Sequence, residues 1–307
     1  MTTTYKILDF DSHSEKVQEP MGTKRKYWVD QVHESEVVEW LFKVPREGTG
    51  EHWAEKVAYE LAALINLPAA RVELATLFLE GRKVRGSASC SFTPPNVTLF
   101  HGNELLDRVV PDYDKEKRYG QLEHRIDAIF DAIALQNLAS APGAEDLSAV
   151  QCFVGYIVFD AWIANVDRHH ENWGMLADSI DRIAPTFDHA SSLGRLLPDE
   201  KRTKILNGEV YRLNLEQFLT RRKAHGAIFP RQGNQGVPPW KLVSDLKQMG
   251  HANDVLWWLD RIDMISDTQL GTIFSAFPSG WLSDPAIRFA TEILKTTPKL
   301  MRREIAQ

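Results

Sequence analysis

One junction constrains this chain more than any other feature. The run Cys152–Ala164, CFVGYIVFDAWIA, is apolar on nearly all sides, and Asn165–Gly174, NVDRHHENWG, follows it without a spacer. An apolar run of that length with no polar face reads as a helix in the core. The fold must therefore deliver the end of a buried helix to a place where clustered acid, base and amide groups are satisfied. Three readings compete. A solvated bend after a core helix is the ordinary one. A metal cage built from Asp167, His169, His170 and Glu171 is disfavoured, because adjacent side chains point in different directions and no His-x-x-x-His pair occurs. The third is the floor of a phosphoryl-transfer site.

Spacing favours the third. Asp167 is followed five positions later by Asn172, and Asp188 ends a candidate strand, IAPTFD, soon after. Phosphoryl transfer needs one carboxylate to orient the acceptor hydroxyl and take its proton. It also needs an amide oxygen and a second carboxylate to hold magnesium against the phosphates. Magnesium suits such hard oxygen ligands. A hairpin between NWGMLAD and RIAPTFD, turning near Ser179, would bring Asn172 and Asp188 to one ion.

The N-terminal part supplies the complementary pieces. KYWVDQV and VVEWLFKV, separated by HESE, read as a hairpin. RVELATLFLEG and KVRGSASCSF read as a second hairpin turning at Glu80-Gly81. Between them Trp53, Ala54, Val57, Ala58, Leu61 and Ile65 fall on one helical face, with Thr49 as its expected cap and Pro68 beyond its end. Lys43 stands in an otherwise apolar strand, and the helix offers Glu55 as its partner, with Glu51 and Glu60 as alternatives. Left unpaired there, Lys43 would carry a desolvation penalty that a carboxylate offsets. Gly22 and Thr23 form a polar turn whose backbone N–H groups could approach phosphates.

Beyond FTPPNVTLFHG, expected to be a connector, the chain turns helical. KRYGQLEHRIDAIFDAIALQNL is amphipathic, and the last helix is signalled by Ser283, Asp284 and Pro285. HGAIFPRQGNQGVPPW is the expected long mobile loop. The fold class is thus α+β and bilobal: residues 1–97 form a small β-rich lobe with one key helix, and residues 98–307 form a larger, mainly helical lobe.

Composition bounds the remaining possibilities. The 307 residues suffice for one large domain or two lobes. A net charge of −6 argues against a broad nucleic-acid-binding face. The two cysteines, Cys90 and Cys152, have no zinc or redox spacing, as expected in a reducing compartment. The N-terminus lacks the apolar core of a signal peptide, and no run is long enough to span a membrane, so a cytoplasmic location is expected.

The combination LFKV, EKVAYELAALINLPAARVELA, DAWIANVDRHHENWG and IAPTFDHASSLG resembles the HipA-like kinases, distant relatives of the eukaryotic protein kinases. DRHHENW is also similar to the DRxxxNW loop of type II phosphatidylinositol 4-kinases. The resemblance covers about residues 20–195 by motif and implies a protein-kinase-like fold using ATP and Mg2+. It implies Lys43 on the phosphates with Glu55 as its partner, Asp167 as the catalytic aspartate, and Asn172 and Asp188 as magnesium ligands. Gly22 and Thr23 would cover the nucleotide, and Phe92 would lie beside adenine. Thr23 would be a candidate self-phosphorylation site, as related kinases have serines there.

Departures accompany it. Arg168 follows the catalytic aspartate rather than preceding it, and either steadies the transferring phosphate or pairs with a nearby acid. Asp188-His189-Ala190 replaces Asp-Phe-Gly, and only Gly22 stands where protein kinases have three glycines. The chain before Gly22 is too short for the additional N-terminal domain of HipA toxins, so toxin activity and an antitoxin partner do not carry over. His169, His170 and His189 are expected to be hydrogen-bonding loop residues, with Trp173 packed beneath them. The expected acceptor is a hydroxyl, on a protein serine or threonine rather than on a lipid or small molecule. The alternative is a lipid or small-molecule kinase, or a nucleotide-binding pseudokinase serving as an interaction module. The basic stretch Arg221–Gly226 reads as a solvated face or a contact for an acidic substrate.

Overall fold

The computed structural model describes residues 4–11, 16–19, 25–33, 36–210, 213–221 and 225–307. Gly22, Thr23 and part of the basic stretch after Arg221 lie outside these residues. A six-stranded sheet is formed by β1 (Ile7–Phe10), β2 (Lys16–Gln18), β3 (Lys26–His33), β4 (Glu36–Lys43), β5 (Val72–Leu79) and β6 (Arg82–Cys90), in the order β1-β5-β6-β4-β3-β2. Both expected hairpins form. The β5–β6 turn places Glu80 and Gly81 at φ 50° and 79°, the paired left-handed residues that match the twist of a two-residue hairpin. Strands β1 and β2 were not foreseen: β1 is only four residues long and runs parallel to β5, a pairing distant in sequence.

Helix α1 (Glu51–Leu64) packs against β5 and β6. Thr49 is not its cap. Gly50 occupies that position without a side-chain bond, and the Thr49 hydroxyl instead donates to Arg46 O (2.7 Å), closing the turn before the helix. The sheet has its own apolar core around Phe10, Trp40, Phe42 and Leu77. The inner face of α1 (Val57, Ala58, Leu61 and Ile65) packs instead into the core of the helical part.

The expected connector contains a strand. Its end, β7 (Thr98–His101), pairs with β8 (Gly174–Ala177), which pairs with the two-residue β9 (Arg182–Ile183). Asp188 therefore does not end a strand: regular pairing stops at Ile183, and only an isolated bridge, Ala69 to Thr186, lies between. After α2 (Gly102–Asp107) the chain is irregular to Arg125, with Asp112 and Gly120 at φ 57° and 64°. The long amphipathic segment thus contributes only α3, Ile126–Leu135.

The core helix is α4 (Ala149–Trp162), buried on almost every side. Ser148 and Gln151 form a reciprocal cap: Gln151 N donates to Ser148 Oγ (3.1 Å) and Ser148 N to Gln151 Oε1 (3.0 Å). Then follow α5 (Asp199–Leu206), α6 (Leu215–Thr220), α7 (Leu242–Gln248), α8 (Ala252–Asp263), α9 (Asp267–Ser275) and α10 (Asp284–Ala306). Ser283 caps α10 as expected, accepting from Ala286 N at 3.3 Å. Pro298 lies inside that helix and cannot donate to Leu294 O. The indole of Trp162 takes that carbonyl at 3.0 Å, and Thr297 Oγ1 returns a bond to Trp162 O at 2.7 Å. The end of α4 is thereby locked where the polar decapeptide begins.

The segment 225–240 carries no strand or helix before Pro239. It is tied down by Gly226 N to Val237 O (2.8 Å) and Phe229 N to His124 O (2.9 Å). Both cysteines are free thiols. Among the described residues, no helix is long and apolar enough to cross a membrane.

Candidate active site

A cavity of about 430 Å³ opens between the sheet and the helical part, a size typical of small-molecule sites. Lys43, Asp167, Asn172 and Asp188 all line it, although they come from three separate segments.

Lys43 is the last residue of β4 and its side chain is buried. Its Nζ bonds Glu55 Oε1 and lies 3.4 Å from Asp188 Oδ1. Burial alone would lower the lysine pKa, but the carboxylates of Asp188 and Glu55 outweigh it and raise it above its ordinary value. Glu55 is 1% exposed and also accepts from Ser87 Oγ (2.9 Å) and Ser89 Oγ (3.4 Å) on β6. The alternative glutamates are engaged elsewhere: Glu51 with Arg46 and Arg195, and Glu60 with Lys56.

Asp188 has φ 57°, a conformation costly for a residue with a side chain. That backbone turn presents its carboxylate to two lysines, since Oδ2 is also 3.5 Å from Lys26 Nζ. Lys26 was missed in the sequence, yet a signal existed. Lys26 pairs directly with Lys43 across the β3–β4 hairpin, and residues directly opposite share a face of the sheet.

The decapeptide is a tight polar turn rather than a solvated bend. His169 N donates to Asp167 O and Asn172 N to His169 O, both at 2.8 Å. Asn172 Nδ2 donates to Asp167 O at 2.7 Å, which leaves its amide oxygen as the end available to a cation. Ser191 Oγ donates to Asp167 Oδ2 at 3.0 Å; no feature of the sequence pointed to this serine.

Arg168 belongs under the site, not in it. Its Nε and Nη2 bond both oxygens of Asp160 at 2.7 and 2.8 Å, and its Nη1 donates to Asn172 O (2.6 Å) and Phe187 O (3.1 Å). It is 3% exposed and does not line the cavity. Of its two readings, the structure favours pairing with a nearby acid. The three histidines are hydrogen-bonded: His169 Nδ1 accepts from Glu171 N (3.2 Å), His170 Nδ1 contacts Tyr113 Oη (2.7 Å), and His189 Nε2 contacts Thr186 Oγ1 (2.9 Å). Burial pushes His169 down to about 3 and His189 well below the ordinary histidine value. Trp173 lies beneath the turn, donating to His124 Nε2 at 3.2 Å.

Phe92 lines the cavity and faces Phe187, with ring centroids 5.4 Å apart. For a cation, the cavity offers the hard oxygens of Asn172 and Asp188. Among the described residues, no group of three His, Cys, Asp or Glu could hold a metal by itself. An ion here would complete its shell with water or bound phosphate, the habit of magnesium.

No family model matches the chain, and no curated protein does either. Solved structures do. The crystal structure of the Helicobacter pylori proinflammatory kinase CtkA is similar at a TM-score of 0.72 and 18% identity, covering 98% of this chain and 99% of that one. HipA, from the Shewanella oneidensis MR-1 toxin–antitoxin complex with HipB and operator DNA, is similar at 0.55 and 12% identity. That match covers 94% of this chain but 65% of the other, so this chain spans about two thirds of its length. With its β-rich sheet, its helical part and the cleft between them, the chain has the fold of the HipA-like kinases.

Proposed function

We propose that the protein is a magnesium-dependent ATP phosphotransferase acting on a hydroxyl, most specifically a serine/threonine protein kinase of the HipA-like type. One observation carries this reading. A buried lysine is shared between a helix glutamate and a cleft aspartate, in the same cavity as a second aspartate and an asparagine. The fold adds to it, since both similar structures are described as a kinase or as HipA. The lobe boundary near residue 97 belongs to the proposal, supported by β7 pairing with β8 of the helical part.

In this mechanism Lys43 neutralises charge on the nucleotide phosphates, and Glu55 with its two serine donors keeps the ammonium group aimed into the cleft. Asp167 orients the acceptor hydroxyl and receives its proton as the oxygen attacks the γ-phosphorus and the bond to the ADP oxygen breaks. Asn172 and Asp188 would hold Mg2+, which supplies charge neutralisation on the transferring phosphoryl group. Arg168 keeps this turn in shape through Asp160 and the carbonyls of Asn172 and Phe187. Phe92 and Phe187 offer an apolar wall for adenine.

The test is incubation with labelled ATP and magnesium, with Asp167→Ala as control. The expected result is phosphate on serine or threonine of the protein itself or of added proteins, abolished in the variant. Nucleotide binding without turnover would leave only a nucleotide-binding module, and label on lipid or a small molecule would redirect the acceptor. Asn172→Ala and Asp188→Ala should each weaken magnesium-dependent nucleotide binding; unchanged metal dependence in both removes them from the ion site.

A further inference from the structure

Glu55 can serve Lys43 only if the first turns of α1 are held against the sheet. The far end of the helix is secured by apolar packing, where Leu61, Ala62 and Ile65 are at most 1% exposed. The near end is apolar-packed too, with Trp53 and Ala54 buried, but it adds polar anchors. Gly50, at its cap, contributes no side chain, and its N–H donates to Arg195 O at 2.9 Å. Glu51 is 3% exposed. Its carboxylate accepts from Arg46 N (2.9 Å), Arg46 Nη1 (3.2 Å) and Arg195 Nε (3.4 Å). Arg202, from α5, lies over the Trp53 ring at 5.6 Å and donates to Gly194 O at 3.3 Å. Glu51 precedes Glu55 by one helical turn, on the same face.

Arg195 lies in the chain segment that follows Asp188. That segment also carries Ser191, whose hydroxyl holds Asp167. One stretch of backbone therefore touches the candidate base, contains the candidate metal ligand and grips the start of α1.

We propose that Arg195 and Glu51 form a latch between this segment and α1, positioning Glu55 on Lys43 and so coupling the lysine to the geometry around Asp188. The proposal rests on the phosphotransferase reading for its effect on turnover, but not for its effect on α1. Arg195 and Glu51 are positioning residues: they act through Glu55 and line no part of the reaction path.

Two measurements on the full chain test this together. Hydrogen exchange of the amides in the first two turns of α1 should quicken in Arg195→Gln and in Glu51→Gln, with the far end of α1 unchanged. Turnover of ATP should fall by about 10- to 100-fold in Arg195→Gln, as expected for a small misplacement of a positioning contact, and recover largely in Arg195→Lys. In a Glu55→Gln background the Arg195→Gln change should lower turnover no further, because both act through one contact. Lost turnover with unchanged exchange, or effects that multiply in the double variant, would overturn the latch and leave the phosphotransferase reading standing. Quickened exchange in both variants, with a wild-type protein that turns over no ATP, would uphold the latch and sink that reading. Global unfolding of Arg195→Gln leaves the decision to Glu51→Gln and Arg195→Lys.

Discussion

Two buried ion pairs stand on either side of the polar turn, and they differ in kind. Arg168 and Asp160 lie beneath it, where the guanidinium makes four hydrogen bonds and each side chain is at most 3% exposed. Lys43 lies above it, held closely by Glu55 but loosely by Asp188 at 3.4 Å, with that second carboxylate facing the cavity. The first pair is complete in itself and fixes the backbone. The second leaves charge facing the cleft, as a site that exchanges partners on binding a polyanion would require. Exposure to the cleft separates the two pairs better than burial of the cation does, since both cations are buried.

That contrast can be broken by mutation. Arg168→Met should destabilise the protein by about 3–5 kcal/mol, because Asp160 is left buried without its cation. Lys43→Met also leaves a buried carboxylate, Glu55, without its cation. Two serine hydroxyls remain on it, however, and Lys26 remains near Asp188, so the loss should be smaller, about 2–3 kcal/mol. Urea denaturation of both variants decides it, and equal losses would erase the distinction. Next in size is Gly102→Ala. A methyl group there would sit 2.1 Å from the Trp173 ring under the turn, and overpacking of this kind costs about 1–3 kcal/mol.

A smaller, graded effect comes from pH. Burial lowers His124 to about 3, with His170 and Arg168 adding to the shift. Burial likewise lowers His52 to about 4, aided by Arg85 and opposed by Glu51. Both are neutral when folded and become charged near pH 6.5 when unfolded. Their stability is therefore fully present above about pH 6.5 and is lost as pH falls toward 4 and then 3. Each contributes a slope of at most about 1.4 kcal/mol per pH unit. Unfolding midpoints measured from pH 7.5 to 5 should fall, and His124→Gln should flatten the slope; a flat wild-type profile would contradict a dry region beneath the turn.

The order of strands and helices was legible where periodicity and turn chemistry are local, as at Glu80-Gly81 and Ser283. Choosing Glu55 over Glu51 and Glu60 was a question of helix phase against a distant strand, which the pairing with Lys43 answers. What escaped was long-range. Strand β1 is stabilised by β5, Arg195 meets Glu51 across 144 positions, and Ser191 is identified only by the carboxylate it touches. Thr49 misled because a hydroxyl beside a helix start can equally close the preceding turn. The place of Arg168 next to Asp167 left two readings open, and its side chain follows the second, back toward Asp160.

The most direct measurement is a crystal structure with magnesium and a non-hydrolysable ATP analogue. The account predicts the phosphates against Lys43, with the ion held between Asn172 and Asp188 and the terminal phosphate facing Asp167. A nucleotide bound outside this cavity, or within it but with Lys43 still turned only to Glu55 and Asp188, would contradict it.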